Sequence, residues 1–109
     1  MAIGAFAAHG LKAVLDARAL AWVDTGAQYQ MYHALVILVL GFALKQWPAW
    51  RQLVWAASSF VVGILLFSGS LYTMAATQIT ALGIITPFGG LSFLVGWGVL
   101  VIAALRQAE

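Results

Sequence analysis

The chain has 109 residues, a formal net charge of +2, no Cys and a mean hydropathy of +1.01, and only 7% of its residues are charged. Such a composition cannot solvate the surface of a water-soluble domain of this size, so residues 1–109 read as a single membrane domain with lipid as an expected partner. The absence of Cys excludes disulfides and thiolate-ligated zinc or iron–sulfur centres, and five scattered Lys and Arg make no nucleic-acid footprint.

From Met1 to Leu11 the chain is apolar apart from His9. As a helix this stretch would reach roughly 16 Å, well short of a hydrocarbon core of roughly 30 Å. No basic segment precedes it, as one would in a signal peptide. Gly10 stands where a C-cap glycine would. Residues 1–10 therefore read as a helix remnant, the final half of a membrane helix whose beginning lies upstream; a re-entrant or interfacial stub is the alternative. Residues 11–24 hold Lys12, Asp16, Arg18 and Asp24. They read as an interfacial linker, with a short interfacial helix as an option.

Thr25-Gly-Ala-Gln28 has the capping-box spacing, in which Thr25 bonds the amide three residues on and Gln28 reaches back. It opens the first full span, residues 26–45, about 20 residues or roughly 30 Å of helix. In Gln46-Trp-Pro-Ala-Trp-Arg51, Pro48 ends that helix, while Trp47 and Trp50 mark a membrane interface. No Lys, Arg, Asp or Glu occurs from Gln52 to Leu105. That run divides into a second span, 52–76, a turn at Thr77–Thr80, and a third span, 81–105. Within the last, Thr86-Pro-Phe-Gly-Gly90 leaves two starts open: a helix beginning at Thr86 as N-cap with Pro87 behind it, or one beginning near Ala81 and kinking at the proline. The fold class is all-α: an integral membrane helical bundle of three full transmembrane helices plus an N-terminal half-helix. Lys45, Arg51 and Arg106 on one side outnumber Lys12 and Arg18 on the other, which puts the 45–51 turn and the C-terminus in the cytoplasm.

With that topology, Tyr29, Gln30, His33, Ser68, Ser70, Tyr72 and Thr86 gather in the outer half of the membrane. Gly26, Tyr29, Gln30 and His33 share one helix face by their spacing. Facing lipid would leave their polar groups unsatisfied, so they are expected to face the bundle. The preferred reading is hydrogen bonding between helices. A polar pocket or proton path through His33 is the second, since ionisable residues within a membrane mark such paths. Haem ligated by His9 and His33 is disfavoured: the two lie at different depths and no basic cluster awaits the propionates, so no cofactor and no metal is expected. Ser59, Gly63 and Ser70 form a small-residue stripe on the second span, and Gly89, Ser92 and Gly96 another on the third, as close helix packing requires.

No nucleophile–base–acid set can be assembled. The acids Asp16, Asp24 and Glu109 all lie at the membrane edge or beyond it, so an enzyme is not expected. The same avoidance of buried carboxylates argues against an ion-coupled transporter, which would accept their cost.

Four motifs occur in order: Gly4-Ala-Phe-Ala-Ala-His9-Gly-Leu-Lys12; Trp22-x-x-Thr25-Gly26-x-x-Tyr29-Gln30-x-x-His33; Phe67-Ser-Gly-Ser-Leu-Tyr72; and Thr86-Pro-Phe-Gly-Gly90 with Gly96-Trp97. Together they resemble the YgdD-like small inner-membrane proteins, a domain-of-unknown-function family with mitochondrial relatives in animals. The resemblance implies four membrane helices, most of the first lying upstream here, and a multi-pass location in a bacterial inner membrane. Ala7 departs from a Gly common in the family. The resemblance implies no reaction, cofactor or ligand. The expectation is a non-enzymatic accessory or interaction protein, present as a homo-oligomer or in a larger membrane complex. The alternative is a small-molecule binding or permeation protein with an outer-leaflet pocket around His33.

Overall fold

The computed structural model describes residues 16–108 and, upstream, Ala2; the remainder of the segment read as a helix remnant, with His9, lies outside the described residues. Three long helices follow one another: α1 (Ala17–Gln46), α2 (Arg51–Thr77) and α3 (Thr86–Ala108), with a short 3-10 helix at Thr80–Ile84 between the last two. All three spans are long and apolar enough to cross a membrane, and no strand occurs among the described residues. The protein is an all-α membrane helical bundle.

Helix α1 starts earlier than the capping box suggests. Asp16 is its N-cap: the carboxylate accepts from the backbone N–H of Ala19 at 2.8 Å, satisfying a donor that the first turn leaves open. Residues 17–24 are thus helix continuous with the span rather than an interfacial linker, and Thr25 lies inside it. Gln28 turns its amide to the Asp24 carboxylate at 3.2 Å instead of reaching back to a cap. The reason is tertiary as well as local. Ala19 and Val23 are buried with Ala75 beneath Trp22 and Tyr72, so the early turns have an apolar surface to pack on. Arg18 lies 4.9 Å over the Trp22 ring, a cation–π contact that holds its charge at the exposed edge. At 30 residues α1 runs about 45 Å, longer than the hydrocarbon is thick.

The start of the third span combines the two options. After α2 ends, Gln78 takes a left-handed conformation (φ 62°) and its N–H bonds back to the Met74 carbonyl at 2.8 Å. The chain then makes the 3-10 turn, and the α-helix begins at Thr86. Pro87 falls in the first turn, where a missing N–H costs nothing because no intrahelical acceptor exists for it.

Helix α2 stands between the other two and packs against both. One core cluster joins Leu40 of α1, Leu53, Ala56 and Phe60 of α2, and Phe93 of α3, flanked by Trp50, Ile64, Phe67, Val99 and Leu100. Large side chains such as Leu38, Phe42, Leu65, Leu94 and Val101 point outward, as a helix solvated by lipid allows. In that solvent helices gain little from burying apolar surface, and close backbone approach takes its place. Gly89 meets the backbone of Phe67, and Gly96 leaves room for the Phe60 ring, which a Cβ there would approach to 2.6 Å. Gly63 faces the Phe93 ring and the Gly89 carbonyl. Ser59 accepts at its carbonyl from the Ser92 hydroxyl at 2.7 Å, so Ser59, Gly63, Gly89, Ser92 and Gly96 all sit at the α2–α3 contact. Gly89→Ala should lower stability by about 1–3 kcal/mol, since no side chain can yield to the added methyl. Gly41→Ala, where the methyl meets open space, should leave stability unchanged or slightly raised. Unfolding titrations in mixed micelles compare the two variants.

Candidate functional site

The polar residues singled out by depth do meet, but as a chain of paired groups. Tyr72 of α2 lays its ring on Gly26 of α1, where a Cβ would come within 2.8 Å, and its hydroxyl donates to the Gln30 side-chain oxygen at 2.6 Å. One turn deeper, buried Ser68 donates to the Gly26 carbonyl at 2.7 Å. These two bonds tie α1 to α2. On the other flank the Ser70 hydroxyl is shared between the Phe67 carbonyl (2.9 Å) and the Thr86 hydroxyl, tying α2 to the start of α3.

His33 is the deepest member, and only 5% of its surface is exposed. Its Nδ1 lies 2.8 Å from the Tyr29 carbonyl, one helical turn back. A carbonyl only accepts, so Nδ1 carries the proton. Its Nε2 lies 3.2 Å from the indole Nε1 of Trp97 on α3, and an indole N–H only donates. The two partners therefore demand the same form, the neutral Nδ1–H imidazole. The ring stacks face to face on Phe93, with centroids 3.7 Å apart and planes 7° off parallel, and Phe60 closes a third side at 5.3 Å. The Nε2 lone pair, the one a metal or a proton would use, is already committed to Trp97.

Tyr29 contributes its carbonyl to this arrangement. Its ring packs at 4.7 Å against Phe67 and stays 40% exposed. Trp97 on the opposite flank of His33 is 41% exposed. Every candidate from Tyr29 to Thr86 thus takes part in contacts between helices, and no buried side-chain nitrogen or oxygen among the described residues lacks a partner. Haem ligation from both histidines involves His9, which is outside the described residues. Trp97, Phe93 and Phe60 escaped the reading by depth because aromatic residues in a span look like lipid-facing bulk. The usable signal was the Trp97 indole N–H, a donor inside an uncharged span that needs an acceptor at a matching depth.

The family model described as "Protein of unknown function (DUF423)" matches residues 3–90. The chain is similar to a UPF0382 membrane protein of Haemophilus influenzae, 46% identical over 107 residues that make up 98% of this chain and 85% of that protein. It is similar to the UPF0382 membrane protein YwdK of Bacillus subtilis, 42% identical over 95% of this chain and 85% of that one. The UPF0382 inner membrane protein YgdD of Escherichia coli K12 is 38% identical over 97% of this chain and 80% of its own length. No solved structure matches.

The His33–Trp97 bond links α1 to α3, and a double-mutant cycle isolates it. With His33→Phe, Trp97→Phe and the double variant, the coupling should be about 0.6 kcal/mol and at most about 1.7 kcal/mol, the range for such bonds inside membranes. In ¹⁵N spectra of histidine-labelled protein, His33 should show a protonated Nδ1 and a bare Nε2.

Proposed function

This chain belongs to the DUF423 family of membrane proteins, and on that premise we propose that it is a non-enzymatic accessory or interaction protein of the bacterial inner membrane, working as a homo-oligomer or within a larger membrane complex. The observation that carries this reading is the engagement of every buried polar side chain among the described residues within the bundle itself. Groups used to hold helices together are not free to bind or activate a substrate. Both described carboxylates, Asp16 and Asp24, sit exposed near the start of α1, far from His33 in depth, which suits a scaffold better than acid–base chemistry. The outward apolar faces of α1 and α3, with Leu35, Leu38, Phe42, Leu91 and Leu94 exposed, offer surface to a neighbour in the membrane as well as to lipid.

Gentle extraction should recover the chain with copies of itself or with larger partners. A strictly monomeric species in native mass spectra from several mild detergents and from nanodiscs would defeat the proposal.

Orientation belongs to the same reading. Lys45, Arg51 and Arg106 at one end of the three helices support a cytoplasmic placement of that end and of the C-terminus. A C-terminal green fluorescent protein fusion should fluoresce, and alkaline phosphatase should be active when inserted near Gln78 but inactive when inserted in the turn at Trp47–Trp50.

A second reading, small-molecule binding or permeation at the outer-leaflet zone around His33, draws on the partial exposure of Tyr29 and Trp97 beside the imidazole. It requires that His33→Ala abolish a bound density or a measurable flux while the fold survives; a variant equal to the wild type in both would remove it.

A further inference from the structure

The turn between α1 and α2 holds features that the packing of the helices does not use. Gln46, Trp47, Pro48, Ala49 and Trp50 line a concavity of about 630 Å³. Trp47 is 59% exposed, with its ring edge-to-face against Trp50 at 6.1 Å. Trp50 is held in place by its own indole N–H, which donates to the Gln52 side-chain oxygen at 2.9 Å. Two exposed cations bracket this bowl, Lys45 before it and Arg51 after it. Helix α3 returns to the same end and brings Arg106, while both described acids, Asp16 and Asp24, stand at the opposite end of the molecule. On the adjoining turns of α1 and α2, Phe42, Val54 and Trp55 are exposed and apolar.

We propose that this turn is a binding site for one anionic glycerophospholipid, of the phosphatidylglycerol type. The phosphate lies between Lys45 and Arg51. The glycerol backbone occupies the bowl walled by Trp47, Pro48 and Trp50, and the acyl chains run along Phe42, Val54 and Trp55. Charge complementarity selects the occupant: the end is cationic, with no acid among its described residues, and an anionic headgroup is the membrane component that answers it. The site differs from a diffuse basic rim in having a wall. Indole rings suit the boundary between headgroup and hydrocarbon, and a guanidinium holds a phosphate through paired N–H donors.

The test uses the purified full chain in a neutral detergent, titrated with phosphatidylglycerol or phosphatidylcholine and read by native mass spectrometry. Wild-type protein should retain phosphatidylglycerol with about a thirtyfold preference, the scale expected when two cations meet one headgroup. The K45Q/R51Q pair should lose that preference. K45R/R51K should keep it, which separates charge from folding, and R18Q at the other end should behave as wild type. Equal retention of the two lipids by wild type, or an undiminished preference in K45Q/R51Q, would overturn the assignment. Displacement of the lipid by millimolar inorganic phosphate would overturn it too, by making the turn a site for free anions.

Discussion

A hydroxyl, amide or imidazole buried in hydrocarbon finds no water, and leaving it without a partner costs several kcal/mol. The polar contacts between helices among the described residues follow from that constraint. Ser68 and Tyr72 discharge it against α1, Ser70 and Ser92 across the α2–α3 contact, and His33 against Trp97. Each bond is worth little by itself, because a chain unfolded within the membrane also finds partners. Their value lies in direction. A serine that must reach the Gly26 carbonyl fixes both the depth and the rotation of α2 against α1, which apolar packing in an apolar solvent leaves loosely specified.

The same solvent explains what the sequence makes legible. An uncharged run from Gln52 to Leu105 admits only spanning helices, and hydropathy with two turn signals divides it. Comparing polar residues by depth found the zone where helices are tied together. It did not find the ties, because matching depth says nothing about rotation. Rotation is also why the sequence, although it shows a Trp97 indole N–H that needs an acceptor, does not pair it with His33: on a third span rich in large apolar groups, the contact geometry shows which aromatic faces His33 and which faces lipid. The start of α1 is masked in the sequence for a different reason. Charges at Asp16, Arg18 and Asp24 suggest a linker, yet a helix longer than the bilayer carries charge on its protruding turns. Buried Ala19 and Val23 show where the apolar stripe continued beneath them.

The glycines connect these layers. Gly26 admits the Tyr72 ring, and only then does the phenol reach Gln30. Gly63 and Gly89 let α2 and α3 approach until Phe93 lies between them, and Phe93 is the surface on which the His33 ring stacks. The position of the imidazole thus depends on two absent side chains some distance from it. A methyl added at either place would act first on packing and then on the polar bonds that packing aligns.

The two ends of the molecule solve the problem differently. Toward Asp24 and Thr86 the helices are joined by paired polar groups. Toward Lys45 and Arg51 they are joined by Leu40, Leu53, Ala56 and Phe60, with no polar tie between α1 and α2 among the described residues. An apolar join makes no demand on the cations beside it. Lys45, Arg51 and Arg106 are therefore left to the interface, where they can set orientation and engage headgroups at once, because both uses ask only for a positive charge held at the edge of the hydrocarbon.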